Sequence, residues 1–409
     1  MDFEPWWLII VPVLFGLGWI AARVDIRQML SETRSLPKSY FKGLNFLLNE
    51  QPDRAIDAFI EVAKLDSETT ELHFALGSLF RRRGEMERAI RVHQSLLARA
   101  DLPVADREMA QHELAQDYLK AGMFDRAETA YTAVLDTRFA VPAIRALIRI
   151  FESSHEWSRA IEAVHRLQAL VDEPVPQLVH YHCERAVVAL EAPTPDPVAA
   201  AQALDIAEHA AARLPGAGQA QASQARIAML RARVAALEGQ PGTQKACLSS
   251  VLEIAPDFAA LVAEPLMRSY RDAGLAGEGL AVLQAHYQRH PSLDLFKVIF
   301  RELRATRGAQ PAWDFARAAQ RSQPSLLGLD RMLEFELAGR TPETAAEPPA
   351  GLPVGADLDL LRSIIHRHIQ RLDRYACSQC GFEARNYYWQ CPGCNAWETY
   401  QPRRLEELS

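Results

Sequence analysis

Aromatic residues are scarce in this chain, 8% of 409 residues, and charge of neither sign accumulates, the formal net charge being -7. Few aromatics among abundant apolar and charged residues suit alternating helix faces, and so mild a charge gives no general attraction to nucleic acid. Catalytic constellations are missing too. His112-Glu113 is followed by Gln116 where a zinc peptidase needs a second histidine, and neither a Gly-Lys-Thr phosphate loop nor a Gly-x-Ser-x-Gly elbow occurs. No catalytic or organic-cofactor-binding residue is nominated, and an enzyme is not expected. Cysteine stands at six positions, four of them close together near the C-terminus. The other two, Cys183 and Cys247, fall in helical segments and are expected as buried thiols.

What is there is a repeat. Residues 114–135 read LAQDYLKAGMFDRAETAYTAVL, two short amphipathic helices broken at Gly122, with Ala115 and Ala127 where the helices touch and Tyr118, Phe124 and Tyr131 filling space. A hairpin this short cannot bury its apolar face alone, so neighbours must stack on it. Gly43, Phe46, Ala55 and Phe59 hold the key places in an earlier copy, and Gly77, Phe80, Ala89 and His93 hold them in the next. The spacing of about 34 residues is that of a tetratricopeptide repeat. Phe151, Trp157, Ala160 and Val164 give a fourth copy, and Tyr270, Gly274, Leu283 and Pro291 sit at the spacing of a late one. Between them the helices are interrupted by Pro174, Pro176 and the Pro193, Pro195, Pro197 cluster. The alanine-dominated residues 199–212 offer little area to bury, so these middle repeats are expected to be the less stable ones. Such an array is a scaffold that holds a peptide or a protein. Arg81 to Arg83, before Gly84, is expected as a solvated helix end. His180 and His182, and likewise His366 and His368, are two apart, point to different faces of a helix, and are expected on the surface or in packing rather than as ligands.

Residues 6–22 read WWLIIVPVLFGLGWIAA, an uncharged run at the lower edge of what spans a bilayer. Tryptophans stand near both ends, Asp2 and Glu4 precede the run, and Arg23, Arg27, Arg34 and Lys38 follow it. These flanks predict an uncleaved transmembrane anchor with the body facing the cytoplasm.

Residues 341–357, rich in Pro, Ala and Gly, predict a linker, and the apolar stripe Leu360, Leu361, Ile364, Ile365, Ile369 and Leu372 predicts an amphipathic helix that packs on the array, with a partner or the anionic inner leaflet as the alternatives. Beyond it come Cys377-Ser-Gln-Cys380-Gly and Cys391-Pro-Gly-Cys394. Two Cys-x-x-Cys knuckles this close supply four thiolates that can surround one metal ion, with no position left open for water, so the metal is structural. A reducing compartment and this spacing argue against disulfides. Iron and zinc both accept four thiolates, and the spacing does not choose between them. Phe382, Tyr387, Tyr388, Trp389, Trp397 and Tyr400 are too many aromatics for so small a unit to bury, so some must pack on the array or a partner.

An anchor, a repeat array and a four-cysteine knuckle in that order resemble one bacterial family, lipopolysaccharide assembly protein B, and YACSQCGFEARNYYWQCPGCNAWETY is similar to its rubredoxin-type module. The resemblance implies an all-α tetratricopeptide-repeat superhelix with an N-terminal transmembrane helix and a small C-terminal rubredoxin-like metal knuckle. It implies Cys377, Cys380, Cys391 and Cys394 as ligands of one iron or zinc ion. It further implies a non-enzymatic, single-pass inner-membrane adaptor that restrains lipopolysaccharide synthesis by promoting degradation of the deacetylase LpxC by the membrane protease FtsH, and that answers to an inner-membrane lipopolysaccharide-sensing protein. The expected order is an anchor (1–22), a connection (23–39), the array (40–338), a linker (339–357), an amphipathic helix (358–375), the metal module (376–402) and a tail (403–409). The knuckle is also similar to the zinc module of a bacterial recombination ATPase, and Arg371, Arg374, Arg385, Arg403 and Arg404 surround it, which suits nucleic acid; the expected anchor argues against that partner. An iron knuckle passing electrons is the remaining alternative.

Overall fold

Several helices in this protein are stopped by one device, a backbone bond that spans six residues. The amide of Glu85 bonds back to the carbonyl of Phe80, Met123 to Tyr118, Glu156 to Phe151, Gln240 to Ala235 and Leu275 to Tyr270, each at 2.8 to 2.9 Å. A bond spanning six residues closes only if the residue before the donor turns left-handed. Gly84, Gly122, Gly239 and Gly274 take φ between +68° and +82°, and His155 takes +57° in their place. The aromatic of each repeat is therefore also the residue whose carbonyl ends its first helix, with Ala235 substituting in the alanine-rich stretch.

The structure, a computed structural model, describes residues 51–65, 70–171, 173–214, 221–338 and 355–408, with isolated positions before residue 50. The chain divides into two compact units, Met1–Leu147 and Ile148–Ser409. In the first unit, helices α1 (Pro52–Leu65), α2 (Thr70–Arg82), α3 (Met86–Leu97), α4 (Val104–Lys120) and α5 (Phe124–Thr132) stack as hairpins, and α6 (Ala140–Ser153) crosses into the second. The repeat positions interlock closely. A Cβ on Gly77 would meet the His93 ring at 2.4 Å, and one on Gly43 would meet Phe59 at 2.6 Å. Ala55, Ala89, Ala115 and Ala127 are fully buried. Behind Gly77, His93 Nδ1 lies 2.5 Å from Asp117 Oδ2, and Arg81 donates to Asp117 at 2.8 Å and to Glu113 at 2.5 Å. Arg81 is thus a tie between successive hairpins rather than a solvated helix end.

The second unit continues with α7 (Trp157–Leu170), α8 (Gln177–Glu191), α9 (Pro197–Ala211), α10 (Gln221–Leu237), α11 (Pro241–Ile254), α12 (Ala259–Asp272), α13 (Ala276–Arg289), α14 (Leu293–Arg307), α15 (Ala309–Ser322), α16 (Leu326–Ala338) and α17 (Gly355–Ile369). Its core runs from Leu248 and Val262 through Leu280 and Phe296 to Met332. The alanine helix α9 starts at Pro197, capped by Asp196, whose carboxylate accepts the Ala199 amide at 2.9 Å, and it buries Ala200, Ala203, Leu204, Ala207 and Ala211. Helix α17 lies against α16 through charge: Arg362 and His366 approach Asp330 at 3.6 and 3.4 Å, while Leu360, Leu361 and Ile364 are exposed. Part of the expected apolar stripe also faces inward, Ile369 being buried and Ile365 and Leu372 half-buried. A two-stranded sheet, β1 (Tyr375–Ala376) antiparallel to β2 (Glu383–Ala384), opens the C-terminal module.

The expected transmembrane helix is corrected. Among the described residues no helix is long and apolar enough to cross a membrane, because the longest, α4 and α10, have 17 residues and carry charged side chains, whereas a span needs about 20 apolar ones. Most of residues 6–22 lies outside the described residues, as do the connection at 23–39 and the linker up to 354. The fold is accordingly restated as stacked helical hairpins with a C-terminal four-cysteine knuckle. The single-pass inner-membrane placement with a cytoplasm-facing body falls with the helix it rested on.

Candidate metal centre

Each knuckle is built by the same local rule as its partner. After Cys377-x-x-Cys380 comes Gly381 at φ +73°, and after Cys391-x-x-Cys394 comes Asn395 at φ +58°. The Gly381 amide returns to the Cys377 carbonyl at 2.9 Å and the Asn395 amide to the Cys391 carbonyl at 2.8 Å. Glycine adopts this conformation freely and asparagine is one of the few others that tolerates it. The two turns face each other across a bridge between Cys377 and Tyr400 and another between Gln390 and Trp397.

This brings the four expected sulfurs together. All lie within 4.8 Å of one another, with Cys377 to Cys394 at 3.8 Å and Cys380 to Cys391 at 3.6 Å. A disulfide needs about 2.05 Å, whereas four sulfurs about 2.3 Å from a central ion stand about 3.8 Å apart at the edges of a tetrahedron. The donor set fits one metal ion, iron or zinc. Electrostatics point the same way. Burial works against a Cys377 thiolate, but the Thr399 hydroxyl and the Cys380 and Gln379 amides outweigh it and hold this thiol at about 6. At Cys394 the Ala396 amide favours the thiolate, yet burial and the three neighbouring sulfurs push it up to about 12. So compact a set of sulfurs needs a cation before all four can be thiolates. Cys183, by contrast, is buried and pushed up to about 12 by desolvation, an inert core thiol, and Cys247 is half-buried.

The module is docked on the repeats of its own unit along the N-terminal turns of α8, α10 and α14. Trp397 donates its indole N–H to Glu152 at 2.9 Å, an acceptor shared with the Tyr181 hydroxyl at 2.5 Å. Glu398, at φ +55°, accepts from His180 Nε2 at 2.8 Å and Ser223 Oγ at 2.6 Å. Arg226 lies 5.3 and 5.4 Å from the Trp389 and Trp397 rings and is paired with Glu184. Trp389 stacks on Phe258 with centroids 5.4 Å apart and planes 4° from parallel. Tyr375 donates to Asp294 at 2.7 Å, and Arg404 clamps the same carboxylate at 2.8 and 3.0 Å. Arginine is a donor only, so the 3.0 Å contact of Arg226 with His180 Nδ1 makes that nitrogen the acceptor and places the ring proton on Nε2, facing Glu398.

Comparisons follow from this geometry. A family model described as "Rubredoxin metal binding domain" matches residues 375–402, and one described as "Tetratricopeptide repeat" matches residues 72–108. Lipopolysaccharide assembly protein B of Escherichia coli strain K12 is 29% identical over 399 residues, 97% of each chain. The protein of the same name from Haemophilus influenzae is 26% identical over 414 residues, 98% of each chain. Over nearly its whole length the chain is similar to the lipopolysaccharide assembly protein B family. Lipopolysaccharide assembly protein B relatives thus match both the array and the metal module, as continuous alignments.

Of the residues that dock the module, the sequence offered the aromatics and, for another role, Arg403 and Arg404. His180, expected on the surface or in packing, is buried against Trp397, and Glu152, Ser223, Arg226, Phe258 and Asp294 were not singled out. A signal existed in α8, QLVHYHCERAVVALE, where His180, His182 and Glu184 crowd the first half of a helix whose residues 178–183 are all buried. His366 and His368 lie on α17, away from the sulfurs. Of the five arginines that suited nucleic acid, Arg371 and Arg374 pair with Glu383, Arg403 with Asp257 and Arg404 with Asp294.

Proposed function

We propose that this chain is a non-enzymatic adaptor that regulates lipopolysaccharide biosynthesis, bringing the deacetylase LpxC to the protease FtsH and answering to a protein that senses lipopolysaccharide. The observation that carries the reading is the similarity to relatives named for lipopolysaccharide assembly, which align over nearly the whole chain. A stack of helical hairpins provides extended surface for holding partners. The metal module adds a rigid element whose four sulfurs are fully committed to one ion, which suits a structural role rather than a catalytic one. Four of the five arginines around it, Arg371, Arg374, Arg403 and Arg404, pair with the protein's own carboxylates, which speaks against nucleic acid as the partner.

The test is the lifetime of LpxC in cells with and without the chain, together with crosslinking of tagged chain to LpxC and FtsH. The reading expects LpxC to persist several-fold longer when the chain is deleted and to be captured with it when present. An unchanged LpxC lifetime would overturn the degradation step.

A further inference from the structure

The last residues of the chain hold the metal module on the array by a means distinct from the aromatic packing. Glu406 accepts from the Leu326 and Leu327 amides at 2.6 and 3.0 Å and from the Ser325 hydroxyl at 2.8 Å. These are orphan donors at the start of α16. Glu407 accepts the Leu293 amide at 3.0 Å at the start of α14, and with its other oxygen the Arg404 amide at 2.7 Å. Two adjacent carboxylates thus serve as caps for two separate helices, 80 and 114 residues earlier in the chain. A side chain supplied from a distance does here what a local Ser or Asp does elsewhere.

Apolar packing contributes little to this hold. Leu408 is 46% exposed, and a hollow of about 410 Å³ lies elsewhere on the unit while one of about 360 Å³, lined by Tyr287, Phe296, Gln320 and Gln323, lies beside the two glutamates. Around them Arg403 pairs with Asp257 at 2.7 Å and Arg404 with Asp294. The strap is polar, short and attached directly to the end of the module.

We infer that residues 403–408 are a strap that sets whether the metal module is docked, with Glu406 and Glu407 as its two pegs on α16 and α14. Without the pegs the module keeps its metal and its own fold but parts from the array more often, uncovering Phe258, His180 and Trp397. Loss of one such cap shifts an equilibrium about fivefold, and two independent caps about 25-fold.

The experiment uses the full chain loaded with zinc and compares Glu406→Ala/Glu407→Ala with the parent by hydrogen exchange. Expected is faster exchange, by about tenfold or more, in the first turns of α10 and α14 and around Trp397, with the amides of α2 to α4 and the zinc content unchanged. Glu406→Gln/Glu407→Gln, which keeps oxygen acceptors and removes charge, is expected to fall between the two. Parent-like exchange around Trp397 and Ser223 in both variants would overturn the strap. So would zinc lost from the alanine variant in step with undocking, since the pegs would then support the module's own fold.

Discussion

The imidazole of His180 lies flat on the indole of Trp397, centroids 4.8 Å apart and planes 5° from parallel. One ring belongs to a repeat helix and the other to the metal module, so this single stack joins the two. Burial lowers the His180 pKa below its ordinary value despite Glu398. Neutral imidazole suits the contact, because Nδ1 must accept from Arg226 while Nε2 donates to Glu398.

Acidification is therefore expected to loosen docking. Arg226, Glu184 and Glu398 face the His180 ring, and a second proton would set Nδ1 against the Arg226 guanidinium. The undocked histidine binds its proton near its ordinary value of about 6.5, the docked one only below that, so stability conferred by the contact is present above this range and lost as pH falls through it. Burial works to raise the Glu398 carboxyl, but its hydrogen bonds to His180 and Ser223 hold it below the usual range, so its contribution fails in the same direction at lower pH. The protection factor at Trp397, that is exchange relative to the intrinsic rate at each pH, should fall between pH 7.5 and 5.5. His180→Gln should flatten that fall, and an equal fall in the variant would rule His180 out as its source. His182, buried and lowered to about 4, titrates below this window in the folded chain and serves as the internal control.

Gly77→Ala should destabilise the first unit by about 2 kcal/mol, the order of an overpacked core. The added methyl would fall 2.4 Å from the His93 ring, and that ring cannot retreat without leaving Asp117. Urea unfolding monitored by circular dichroism reads the loss. The same change at Gly242, where a Cβ meets nothing within 4 Å, should leave the midpoint within about 0.5 kcal/mol of the parent.

Asn395→Val should weaken the second knuckle, and Asn395→Gly should not. At φ +58° a β-branched side chain is strained by about 1 to 2 kcal/mol, and glycine is not. Metal retained against a chelator over time gives the ranking, expected as glycine equal to or above asparagine and both above valine.

Local rules made much of this chain legible, and distance in sequence concealed the rest. The glycine-to-aromatic register of the repeats and the doubled Cys-x-x-Cys are relations among residues a few places apart, and they stand where the spacing put them. His155 in a seat that glycine fills elsewhere, and Asn395 matching Gly381, keep the backbone rule while changing the letter. Docking is different in kind: His180 and Glu398 are 218 residues apart, and Trp397 and Glu152 are 245. No periodicity connects such pairs. The stripe on α17 was legible only in part: Ile369 is buried, but Leu360, Leu361 and Ile364 are exposed while Arg362 and His366 approach Asp330, which is buried on α16. The apolar run at 6–22 misled in another way, since its hydropathy and its flanking tryptophans and charges placed a span that no described helix provides.

Cys377→Ser with Cys380→Ser should undo the module while sparing the repeats. Two of four sulfurs vanish, and what remains is a loop with little core of its own, Tyr375 and Tyr400 being its chief buried side chains. Metal binding supplies much of the folding free energy of so small a unit. Trp389 and Trp397 would then lose their fixed positions against Phe258 and His180. Proteases should cut within 377–400 while the helices from α1 to α15 stay resistant, and atomic absorption should find less than one metal per chain. The proposed role in LpxC degradation adds a cellular readout: if it needs the docked module, the LpxC lifetime lengthens in cells carrying this variant. A variant with an intact, protease-resistant module and no metal would show that packing against α8 and α10, rather than the ion, holds the knuckle together.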